Sequence, residues 1–290
     1  MSVKPGSKLG KVQTFLLSIL QDRSRTAYIQ ALEDFKTDLD DRQIPWASFS
    51  ESHQDEWLAE HVLEAKEVGV SRQRMQILCA ALHKIHPRQN FVTTRKVLEV
   101  WKHEEPIRQA PACPEEIAYA LAAAALAASQ PGVAATILLC FTGLLRVSEA
   151  LGTTWTNVIF SGPTMVLALG KTKRGLDEKV VFAHPSTVSW FWQYRSRFGS
   201  RHKSVCNISY SKFRYWLNKL SKTLGLEELH LTSHSFRRGG ASTLLHYGVP
   251  LGNIAVQGRW ASESSCRDYL RRGELFLLRL KAQLDASVWA

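Results

Sequence analysis

Apolar residues recur every three to four positions through the first hundred residues, and beyond that the period changes. Tyr28, Leu32, Phe35 and Leu39 share one face of a helix, with Ser24 as its candidate N-cap. The same spacing predicts helices around 53–68, 71–86 and 93–103, so the N-terminal part reads as an all-helical domain of four or five helices. EEPIRQAPACPEE (104–116) carries three prolines and reads as a linker, which gives a first domain over 1–105, a linker over 106–112 and a second domain over 113–290. Residues 117–145 carry no charge, but Pro131-Gly132 splits them into two runs, each short of the ~20 apolar residues a membrane span needs. They predict two buried helices, the second delivering Arg146 and Glu149 at its polar end. WTNVIF (155–160), TMVLALG (164–170) and EKVVFA (178–183) then predict three strands, with KTKRGLD as a hairpin tip and helices to the end. The fold expected is mainly α, with a small three-stranded antiparallel sheet in the second domain.

Composition narrows the class. The chain has 290 residues, 45% of them hydrophobic and 22% charged, which fits a globular protein and excludes a disordered one. The N-terminal run lacks a small-residue cleavage site, so secretion is not expected. The five cysteines are odd in number and never spaced C-x-x-C, which speaks against structural zinc or a disulfide framework and for a reducing compartment. Charge is what changes the picture most. Residues 1–105 hold 15 basic and 15 acidic side chains, whereas residues 106–290 hold 22 basic and 11 acidic, so the whole excess of +11 lies in the second part. Between Lys179 and Leu226 there is no Asp or Glu, and basic residues alternate with Trp190, Trp192, Tyr194, Phe198, Phe213, Tyr215 and Trp216. A polyanion, most plausibly nucleic acid, is the expected partner; the competing reading is a solvated basic face over aromatic core residues. Lys173, Arg174, Arg201, Lys203, Lys212, Arg214, Arg238 and Arg259 are the candidate DNA contacts.

The candidate chemistry sits in HSFRRGGASTLLHYGVPLGNIAVQGRWASESSCRDY (234–269). His234 and Arg237 stand three apart and share a helix face. Gly239 and Gly240 each cost a helix roughly 1 kcal/mol against alanine, so close backbone approach is expected there, read as the nearest point of a DNA backbone. Breaking a phosphodiester without a metal needs a nucleophile, cationic donors for the non-bridging oxygens and an acid for the leaving 5′ oxygen. Arg146 and Arg237 offer planar donor forks, His234 a third donor, and Lys171 or Lys173 on the hairpin an acid. Tyr269 is the candidate nucleophile; its phenol, with an ordinary pKa of about 10, needs the cationic field of Arg146, Arg237 and Lys171. Tyr247 is the rival.

Taken in order, TGLLRVSEALG (142–152), the lysine about 25 positions later in LGKTKRG, the H-x-x-R of HSFRRGGAS, GRW (258–260) and Tyr269 resemble the tyrosine recombinases, or phage integrase family. Tryptophan in place of the family's second histidine is similar to the Cre-type members. The resemblance implies the DNA breaking-rejoining fold, with a SAM-like core-binding domain before the catalytic one. It also implies that Arg146 and Arg237 clamp the scissile phosphate, His234 bonds to it or shuttles a proton, and Trp260 packs beneath and donates its indole N–H. Glu149 would hold the arginine side, Lys171 would protonate the 5′ oxygen, and Tyr269 would form a 3′-phosphotyrosine without metal, cofactor or ATP. The implied partner is double-stranded DNA, bound by a homotetramer on two sites that associates weakly without DNA, in the cytoplasm of a prokaryote or the nucleus of a eukaryote, with no membrane role. The helix expected at about 273–284, with Leu275, Phe276, Leu278 and Leu280, would pack on a neighbouring protomer. Two other readings share these residues: a silent or domesticated DNA-binding protein of the same fold, and a type IB topoisomerase-like or hairpin-resolving enzyme.

Overall fold

The computed structural model describes residues 11–20, 22–105, 109–171, 177–199, 201–267, 269, 270 and 278. The chain divides into two compact units, residues 1–108 and 109–290.

Among its described residues the first unit has five α-helices: α1 (Lys11–Ser18), α2 (Asp22–Asp41), α3 (Glu51–Glu67), α4 (Arg72–Ile85) and α5 (Val92–Glu104). Its core follows the spacing read from the sequence. Leu32, Phe35 and Leu39 of α2 pack with Leu58 and Val62 of α3, Met75, Leu78 and Leu82 of α4, and Leu98 and Trp101 of α5. Helix α2 starts at Asp22, so Ser24 lies inside its first turn and is not the N-cap. Capping does occur elsewhere. Ser50 Oγ accepts from the His53 amide at 3.3 Å to open α3, and the buried Asp55 carboxylate accepts from the Thr93 and Thr94 amides at 2.7 and 2.9 Å to open α5.

The second unit starts with two apolar helices, α6 (Glu115–Ala127) and α7 (Pro131–Thr142), with Pro131 at the first turn of α7, where its missing N–H costs nothing. Every residue of α7 from Gly132 to Phe141 is buried, which is why the sequence shows no polar stripe there. A short helix α8 (Val147–Gly152) follows, and then a sheet of β1 (Val158–Ser161), β2 (Thr164–Lys171) and β3 (Asp177–Phe182). The strands run antiparallel in the order β1-β2-β3. Leu167 sits opposite both Val158 and Val180, and these three form part of the buried face. Residues 155–157 were expected to be strand but form a 3-10 turn, so β1 is shorter than the apolar run. The expected hairpin tip falls largely on 172–176, outside the described residues.

Helices α9 (Pro185–Phe198), α10 (Tyr210–Thr223), α11 (Ser233–His246), α12 (Leu251–Gly258) and α13 (Glu263–Arg267) follow among the described residues. The interleaved aromatics divide between inside and outside: Phe191, Tyr194 and Phe213 are core, whereas Trp192 and Tyr215 are exposed at 57% and 59%. On α10, Phe213, Leu217 and Leu220 face inward while Lys212, Arg214, Tyr215 and Lys219 are exposed. Helix α11 crosses the centre of the unit, and the paired glycines make this possible. A Cβ on Gly239 would stand 1.9 Å from the Cys113 carbonyl oxygen, and one on Gly240 would stand 2.0 Å from that of Phe141. The close approach read from the sequence is therefore to protein backbone, not to DNA, because the side chain is missing where α11 meets α7 and the chain before α6. Gly239→Ala is expected to lower the unfolding free energy by at least about 2 kcal/mol, since neither backbone can yield, and a denaturant titration against wild type checks this.

Of the expected C-terminal helix only Leu278 is described, and it is 5% exposed within the core of the second unit; the rest of 273–284 lies outside the described residues. No helix among the described residues is long and apolar enough to cross a membrane. No cluster of three or more His, Cys, Asp or Glu suited to a metal occurs among them either.

Candidate active site

The site forms where α7 ends. Thr142 closes the helix, and Leu144 adopts a left-handed backbone with φ of 49°. Arg146 then stands in an extended conformation as N-cap of α8. Arg146 is thus delivered by a break in the helix rather than by its continuation. Its amide donates to Glu149 Oε2 at 2.8 Å and its Nη1 to Glu149 Oε1 at 2.6 Å. With a third of its side chain still exposed, Arg146 keeps donors for an outside anion. Burial tends to raise the Glu149 carboxyl, but Arg259, then Arg146, outweigh it and hold the group below the usual carboxylate range.

Helix α11 supplies the second arginine. Thr232 caps it, and the Thr232 amide donates to Ser235 Oγ at 2.9 Å. One turn in, Arg237 is 1% exposed. It donates to the carbonyl oxygens of Leu144 and, at 2.5 Å, Gly258, while its Nε has no hydrogen-bond partner among the described residues. Its Cζ lies 4.5 Å from the Trp260 ring centroid and 5.6 Å from that of Tyr269. Burial, then Arg146 and Arg259, push its pKa down to about 10, so it stays charged at neutral pH. His234 is exposed on the same helix. Desolvation lowers its pKa, and Arg237, Arg238 and Arg146 lower it further, so at neutral pH one ring nitrogen is an acceptor.

Tyr269 and Trp260 close the site with ring centroids 5.0 Å apart. Trp260 Nε1 is buried without a hydrogen-bond partner among the described residues. The Tyr269 amide donates to the Cys266 carbonyl at 2.9 Å, and Ser242 Oγ donates to the Tyr269 carbonyl at 3.4 Å. Arg146, Glu149, Arg237, Trp260 and Tyr269 are therefore brought together, although they span more than 120 positions. Lys171 is the last residue of β2, opposite Asp177, and its side chain lies outside the described residues, as do Lys173 and Arg174. Tyr247 is 65% exposed and donates to Glu115 Oε2 at 2.7 Å.

The candidate DNA contacts do not share one environment. Arg201, Lys203, Lys212 and Arg214 are exposed. Arg238 is instead 8% exposed, donates to Gln109 Oε1 at 2.7 Å and places its Cζ 5.1 Å from the Tyr269 ring centroid. Arg259 is 6% exposed and ion-paired to Glu149 at 2.8 Å. Both differ from the four exposed cations, since each of these side chains is itself buried and its guanidinium is engaged by a side-chain oxygen of the protein. Residue type alone did not show this, because Glu149 and Arg259 are 110 positions apart.

Solved structures with this fold act on DNA by their own descriptions. XerH site-specific recombinase bound to difH substrate matches with TM-score 0.61 at 16% identity, over 92% of this chain and 80% of that one. A lambda integrase (75–356) dimer bound to a COC′ core site matches with TM-score 0.62 at 11% identity, over 90% and 93%. The Tn1549 transposon integrase (82–397) in complex with circular intermediate DNA matches with TM-score 0.61 at 13% identity, over 89% and 95%. At these identities the likeness defines the fold alone, that of tyrosine recombinase catalytic domains. The family model of the phage integrase family matches residues 114–274, more than half of the chain. The chain belongs to that family and is a tyrosine-type DNA strand transferase, of the class that carries out site-specific DNA recombination. No curated protein matches its sequence.

Proposed function

We propose that the protein cleaves and rejoins duplex DNA at specific sites through a 3′-phosphotyrosine on Tyr269. The observation that carries this is the donor set around the Tyr269 ring. Arg237 lies over the ring, Arg146 is held on Glu149 with donors to spare, and the Trp260 indole N–H has no partner among the described residues. In the reaction, Tyr269 Oη bonds to phosphorus as the bond from phosphorus to the 5′ oxygen breaks. Arg146, Arg237 and the Trp260 N–H stabilise the charge that builds on the non-bridging oxygens. Neutral His234 accepts a proton from the phenol side, and the Lys171 ammonium gives one to the leaving 5′ oxygen. The released 5′ hydroxyl, or that of a second duplex, reverses the step, so the phosphotyrosine conserves the bond energy for rejoining.

The exposed Arg201, Lys203, Lys212 and Arg214 of the second unit face the phosphate backbone. Exchange between two duplexes needs four active sites, so the working form is a homotetramer assembled on DNA. A duplex nicked close to the cleavage position, which loses the short 5′-hydroxyl fragment on cleavage, should trap a covalent complex that survives denaturing electrophoresis. Full-chain protein that binds the duplex at low salt yet never forms such a complex would overturn the proposal. Binding of plain duplex should also weaken at least tenfold between about 50 and 200 mM salt, as phosphate contacts release counterions.

A further inference from the structure

Resting on the strand-transfer reading above, we infer that Arg259 is a positioning residue that ties the carboxylate holding Arg146 to the base of the lysine hairpin, so that one guanidinium sets both the phosphate clamp and the general acid.

Arg259 ends α12 in a left-handed conformation, φ 57° and ψ 42°, at a position where glycine is the usual choice. A side chain kept in that conformation implies contacts that offset the strain. Its Nη2 donates to Glu149 Oε2 at 2.8 Å and to the Leu144 carbonyl at 3.2 Å, the same carbonyl that accepts from Arg237. Its Nε stands 3.4 Å from Glu178 Oε2. Glu178 lies on β3 opposite Gly170, just after the bulge between Ala168 and Gly170, and the next pair in the register is Lys171 opposite Asp177. The residue before Arg259, Gly258, gives its carbonyl to Arg237.

At the end of α12, one side chain therefore joins the α7–α8 break that carries Arg146 to the strand pair that carries Lys171, and Arg237 of α11 shares the Leu144 carbonyl with it. Arg259 Nη1 donates to the Gln257 carbonyl at 3.0 Å, Nη2 to Leu144 and Glu149, and Nε faces Glu178, so its fork is directed at the protein rather than at DNA. Losing it would leave Glu149 with one partner fewer and release the β3 side of the hairpin base, without removing any group that touches the phosphate.

Arg259→Gly is the direct test, because glycine suits this backbone and removes only the fork. Duplex binding should stay within about threefold, while single-turnover cleavage should slow by about 100-fold, the scale of a misplaced reacting group. The readout specific to the hairpin is a substrate with sulfur in place of the 5′ bridging oxygen, which leaves as a thiolate and needs no acid. Glu178→Gln should recover most of its cleavage on it and Arg259→Gly the part of its defect that comes from the acid, leaving the part that comes from the clamp, and Arg237→Ala should recover none. Arg259→Lys keeps the charge without the fork and should fall between, which guards against a folding defect. Wild-type cleavage by Arg259→Gly, or an equal defect on both substrates, would overturn the inference. If wild type forms no adduct on either substrate, the strand-transfer reading fails instead. The coupling is then read from backbone amide exchange in β2 and β3. Faster exchange there in Arg259→Gly than in wild type, with α6 and α7 unchanged, is the expected result, and unchanged exchange in the strands contradicts it.

Discussion

Replacing Tyr269 by phenylalanine abolishes covalent attachment to DNA and slows strand cleavage by on the order of 10⁴-fold or more, while duplex binding is retained. Phenylalanine keeps the ring that packs 5.0 Å from Trp260 and faces the Arg237 and Arg238 guanidinia, so the site keeps its shape and loses only the attacking oxygen. Tyr247→Phe is the matched control. That hydroxyl is spent on Glu115 at an exposed position, and its loss should leave the adduct yield at the wild-type level. Adduct yield on nicked duplex and binding by gel shift, measured on both variants, separate the two tyrosines.

Arg237→Ala is expected to damage stability and chemistry together. Its guanidinium is 1% exposed and donates to two backbone carbonyls, of Leu144 and Gly258, so truncation leaves both without that donor and opens a void beside Trp260. A loss of about 3–5 kcal/mol of unfolding free energy follows from removing a buried charged partner. Losing a preorganised donor to the phosphate takes about a further 3 kcal/mol from the transition state, roughly 10²-fold in rate. Arg237→Lys keeps the charge but cannot span both carbonyls with a planar fork, so it should fall between the two in the denaturant midpoint and remain far below wild type in single-turnover rate. Because the Arg237 pKa, though lowered to about 10, lies well above neutrality, cleavage should show no titration of this group across the physiological range.

How much of this was legible in the chain depended on the range of the interaction. Helices α3, α4 and α5 fell within a few residues of their expected spans, because each buries one stripe against a core and its period is written locally. Two of the three strands were equally plain. Residues 155–157 misled because Trp155 is buried from a 3-10 turn, where an apolar residue looks no different from one on a strand. The order of Arg146, His234, Arg237, Trp260 and Tyr269 carried the family, since each stands in a short recognisable motif. What stayed hidden is set by contacts between distant segments. The left-handed Leu144 that separates α7 from α8 has no local signature, and the glycine pair of α11 could not reveal whether protein or DNA approaches it. Arg259 looked like one more surface cation until Glu149 and Glu178 were seen beside it.

The central claim, that Tyr269 itself attacks the DNA, is tested most directly by trapping the complex on nicked duplex, digesting protein and DNA, and locating the nucleotide by mass spectrometry. The expected product is a peptide containing Tyr269 joined to a nucleotide through its 3′ phosphate, with a free 5′ hydroxyl on the released strand. A nucleotide found on Tyr247 or any other residue, a 5′-phosphate linkage, or no adduct from protein that binds the same duplex would contradict it.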